Sequence, residues 1–99
     1  MTRADVITWI AARRPPAPPT LVEPMTRGLV DSRASLPEHL ASAGHALLER
    51  VLGHPAGGRE LALDLLAADA LVTYAFEAQA EIDAGGLVHV AEHVAGRRA

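Results

Sequence analysis

Ninety-nine residues, 49% of them hydrophobic and 21% charged, specify one globular domain with a small core rather than a disordered chain. The nine basic residues are all Arg and lie scattered along a chain of net charge −3, so the basic stripe that tracks nucleic-acid phosphates is missing. With no Cys, disulfides, thiolate metal sites and Cys nucleophiles are excluded.

The first ten residues carry Arg3 and Asp5 and lack a long apolar run, which argues against a secretory leader and for a soluble, cytoplasmic protein. Thr2 and Asp5 have the spacing of a capping box, and a helix is predicted from there to about Arg13, with Val6, Ile7 and Ile10 on one side and Trp9 at its edge. Arg14-Pro15-Pro16-Ala17-Pro18-Pro19 is then read as an extended, stiff spacer. Arg13, Pro16 and Pro19 also fit the R-x-x-P-x-x-P pattern of ligands for aromatic-lined grooves, a short pattern that the spacer explains as well. Thr20 and Glu23 repeat the capping-box spacing and predict a second helix to about Asp31.

Ser35-Leu36-Pro37-Glu38 is the clearest boundary: Ser as cap, Pro in the first turn, and Glu three residues after the Ser. The helix it starts is predicted to reach Gly53, with Leu36, Leu40, Leu47 and Val51 on one face, widened by Gly44, Leu48 and Leu52. Glu38, Ser42, His45 and Glu49 line the opposite, wet stripe. A turn at 54–58 precedes the longest helix, residues 59–82 or 83. Between Leu61 and Phe76 only Asp64, Asp69 and Thr73 are polar there. Apolar residues on nearly every face predict that other helices surround it. Its 16-residue apolar middle is shorter than the ~20 residues of a membrane span and contains two Asp. Gly85-Gly86 ends it, and a last helix is predicted from Leu87 to about Arg97. The expected fold is thus all-α, four to five helices around a central long one.

Leu65-Leu66-Ala67-Ala68-Asp69-Ala70-Leu71-Val72-Thr73-Tyr74-Ala75-Phe76-Glu77 resembles an inner helix of trans-isoprenyl diphosphate synthases, a likeness confined to residues 60–77. It implies a helix able to line an apolar cavity. The family's Asp-rich D-D-x-x-D motifs are missing and Ala68 replaces its usual Gly, so no catalytic residue follows from the likeness. The whole chain is similar to short, Ala-rich bacterial helical proteins.

Three readings of function follow. The first is a small non-enzymatic helical module that forms a homodimer or docks on a protein partner through its Ala/Leu face. The second is a metal- or haem-binding protein using His89 and His93, four apart on one helix face, with Glu92, His45 and Glu49, His39 or His54 supplying further ligands. The third is an apolar-ligand carrier or enzyme with a pocket beside Asp69. Asp64 and Asp69 diverge by about 140° on a helix and form no acid–base pair. At least one is expected to be partly buried, either paired with Arg50 or Arg59 or facing a ligand. Tyr74 is read as core packing. Ser32, Ser35 and Ser42 show no nucleophile motif.

Overall fold

A computed structural model of the protein describes residues 1–54 and 57–84, and among these the chain forms four helices and no strand. They are α1 (Arg3–Ala11), α2 (Pro19–Thr26), α3 (Leu36–Leu52) and α4 (Arg59–Ile82). The expected stop at Gly85-Gly86 and the segment from Leu87 onward lie outside the described residues.

Local chemistry explains most of the boundaries. Thr2 Oγ1 accepts the Asp5 amide at 3.1 Å while the Asp5 carboxylate accepts the Thr2 amide at 3.2 Å, a complete capping box for α1. Ser35 caps α3 through the Glu38 amide, and its hydroxyl donates to the Glu38 carboxylate at 2.9 Å. α2 departs from expectation. It begins at Pro19, ahead of Thr20, because a proline is already set to the helical φ at a first position that needs no amide partner. The Thr20–Glu23 box does not form, and Glu23 instead grips Arg27 through two hydrogen bonds of 2.6 and 2.9 Å. The helix stops at Thr26, whose hydroxyl turns back to the Val22 carbonyl at 2.8 Å, just before Gly28.

α3 and α4 make the largest helix–helix contact, running antiparallel, with Gly44 against Ala68, Leu71 and Val72 and Arg50 near Asp64. A side chain at Gly44 would start 3.1 Å from Val72 Cγ2 and 3.2 Å from the Ala68 carbonyl oxygen, so the missing Cβ sets how close the helices come. α2 packs on α4, and α1 touches α3. The core unites Val6, Ile10, Leu21, Met25, Leu29, Leu36 and Leu40 with Ala67, Leu71 and Ala78 of α4. Among the described residues, Leu65, Leu66, Val72, Phe76 and Ile82 of α4 are exposed, with Leu65, Val72 and Phe76 on one open stripe.

α1 is clamped to the far end of α4. The Trp9 ring meets Tyr74 edge to face at 5.8 Å, and its indole N–H donates to Glu81 at 3.2 Å. Arg13 lies 3.9 Å over the Trp9 ring, donates to Glu81 and stands 3.8 Å from Glu77. Its Nε is buried without a hydrogen-bond partner among the described residues, as a guanidinium stacked on an indole allows. The Arg13 hydrogen bond, aided by Trp9, holds the Glu81 carboxyl below the usual glutamate value of 4.5. A lowered folded-state pKa stabilises above the unfolded value, and that contribution is lost as pH falls through the folded value. Acidification below about pH 4.5 is therefore expected to loosen α1 first. The fluorescence of Trp9, the single tryptophan, should report it. Glu81→Gln should weaken this acid transition, leaving the part due to the Asp5 cap, and an unchanged transition would contradict the clamp.

Candidate functional site

Three places bring polar chemistry together. The first is an open apolar groove of about 280 Å³ on the α3–α4 seam, lined by Gly44, His45, Leu48, Leu65, Ala68, Asp69 and Val72. The small residues Gly44 and Ala68 form its floor, and Leu48, Leu65 and Val72 its apolar walls. Asp69 stands exposed at its edge, because five residues of helix rotate it about 140° from the buried Asp64. The two carboxylates are not brought together. His45, also on the groove, is exposed and pairs with Glu49 one turn on at 3.1 Å.

The second place is Asp64, only 3% exposed. Its Oδ2 lies 3.5 Å from Arg50 Nε and its Oδ1 3.9 Å from Arg27 Nη1. Arg27 belongs first to Glu23, whose carboxyl its hydrogen bonds hold below the ordinary range. These groups, with Thr20, Pro24, Glu60 and Leu63, line a surface cleft of about 500 Å³. Arg59 lies on the neighbouring cleft with Arg50 and Asp64. Arg27 is a partner that spacing along the chain could not reveal, since it comes from another helix. Both arginines keep much of their water, so the cluster ties α2, α3 and α4 together as a half-solvated ion-pair bridge.

The third place joins a loop serine to a buried histidine. Ser32 Oγ lies 3.1 Å from Nε2 of His39, which is 6% exposed. Ser42 shares a small cleft with them. The sequence offered His39 only as a possible metal ligand; neither its burial beside Leu36 and Leu40 nor its pairing with a loop serine was legible. Ser32 Oγ also accepts the Ala34 amide at 3.1 Å, and the Ser32 carbonyl accepts the N-terminal ammonium at 2.7 Å. No hydrogen bond orients His39 Nδ1 among the described residues, so the third member of a nucleophilic triad is missing there. The contact serves to tie the N-terminus and the α2–α3 loop to α3.

His89, Glu92 and His93 lie outside the described residues. Among the described residues no group of three His, Asp or Glu side chains is placed to hold a metal, and no helix is long and apolar enough to cross a membrane. His54 Nδ1 donates to the Arg50 carbonyl at 2.7 Å, and His45 pairs with Glu49. Tyr74 is half-buried against Trp9. Compared with known proteins, the chain matches no family model, no curated protein and no solved structure.

The Asp64 cluster makes a prediction about stability. Asp64→Asn removes the buried charge and leaves two hydrated arginines, so its cost should be about 1 kcal/mol or less. Arg50→Leu keeps the buried carboxylate and takes away its nearest cation, and should cost about 2 kcal/mol. Urea unfolding of both variants checks the order; a reversed order would mean that Asp64 is not held mainly by Arg50.

Proposed function

We propose that the protein is a small non-enzymatic helical module that acts as a homodimer, joined through the open face of α3 and α4. The reading rests on one observation. Leu48, Leu65 and Val72 are exposed on the lining of the groove, and Leu52 and Phe76, each one helical turn further along α3 and α4, are 76% and 66% exposed. At the full areas of these residue types they offer about 500 Å² of apolar surface per copy, or about 1,000 Å² in a pair, the lower bound of specific interfaces. A contiguous apolar patch of about this size is the largest that a typical monomer carries and often serves as a contact surface, which supports the reading.

The need for such a contact follows from the packing. α4 is built mainly of Ala and Leu, and its buried residues against α2 and α3 are chiefly Ala67, Ala68, Leu71 and Ala78. Short side chains bring helices close but bury little area for each turn, and one chain of this length has few turns to spare. Pairing two copies puts helices on both sides of α4 and completes a bundle around it. Asp69 stands at the rim, where a carboxylate keeps its water.

Sedimentation equilibrium of the full chain should give twice the 10.4 kDa of one chain. Phe76→Asp puts a charge on the most exposed aromatic of the patch and should weaken association by at least about 30-fold, the 2 kcal/mol of an interface hot spot. A mass of 10.4 kDa at every concentration would overturn the reading. Unaltered assembly by the Phe76 variant would move the interface elsewhere.

A further inference from the structure

The open face carries both a knob and a hole. Leu65, Asp69, Val72 and Phe76 fall within about 60° of one another on α4, so they form one stripe along it. Phe76 projects at one end of the stripe, and the groove floored by Gly44 and Ala68 lies toward the other. Val72 stands midway, four residues from Phe76 and four from Ala68. It walls the groove and closes over Gly44, whose Cβ position is 3.1 Å from the Val72 side chain.

Resting on the homodimer reading above, we propose that two copies pair their α4 helices antiparallel about a two-fold axis at Val72, each Phe76 filling the Gly44–Ala68 groove of the other. In that register a residue four beyond the axis meets one four before it, so Phe76 lies over Ala68 and the same contact is made twice. The bulkiest exposed side chain of the patch meets its smallest floor.

Electrostatics separates this register from its competitors. An axis at Val72 leaves the two Asp69 carboxylates about 9 Å apart along the helices, with Asp69 opposite Ala75. Centred at Asp69, the pairing would set like charges face to face, as would a parallel pairing, which brings every stripe residue beside its own copy. An axis at Phe76 would stack the two rings and leave both grooves empty.

The natural chain has no cysteine, so single-cysteine variants read the register directly. Two full-length variants are made, Val72→Cys on the proposed axis and Leu66→Cys on the flank of the same helix, both at exposed positions. Each is weighed by sedimentation, oxidised, and run on a non-reducing gel. Thiols meeting on a two-fold axis react at a millimolar effective concentration, so Val72→Cys should cross-link at least about tenfold faster than Leu66→Cys. If both variants are dimers by mass and Val72→Cys cross-links no faster than Leu66→Cys, this register is wrong while the homodimer stands. If both are monomers by mass, the register and the homodimer fall together.

Discussion

The close approach of α3 to α4 at Gly44 sets the geometry of the whole bundle. With hydrogen in place of a side chain, α3 comes near enough for Ala68 and Leu71 to be buried and for Val72 to fold over the seam. That contact orients both helices. It directs Leu71, Ala67 and Asp64 inward toward α2, and it leaves Leu65, Val72 and Phe76 outward beside Leu48. Inner core and outer groove are two consequences of one contact.

Around this pair α1 and α2 bury Val6, Ile10, Leu21 and Met25 in the core and are further fastened at polar points. α1 is held at the far end of α4 by Trp9 and Arg13 working on Tyr74, Glu77 and Glu81. α2 is held near the start of α4 by Arg27 and Asp64, and the N-terminus is tied to the α2–α3 loop at Ser32. Each fastening adds a charge or a polar hydrogen bond to that small apolar core. Small cores have little apolar area to spare, and the proposed second copy on the open face would add to it.

How much of this could be read in the sequence follows from the range of the interactions. Caps set by neighbours three residues apart were legible: Thr2 with Asp5, Ser35 with Glu38, and the start of α4 after the Gly-rich turn. The second helix misled, because Thr20 has the spacing of a cap and the prolines before it were read only as a spacer, although Pro19 can begin a helix itself. In α4 the apolar residues lie all round, so periodicity could not say which face was buried or that Phe76 stands in solvent. The 140° between Asp64 and Asp69 was legible, and so was Arg50 as a partner. Arg27 at Asp64, Glu81 at Trp9 and Ser32 at His39 were not, since each contact joins elements whose relative placement only the fold decides.

If a second copy finishes the core, thermal stability depends on protein concentration. A fold completed by association gains stability by mass action, so its melting midpoint should climb steadily over an about 100-fold increase in protein concentration. A midpoint that stays constant across that range would show that one chain alone already holds all its stability, and would contradict the account.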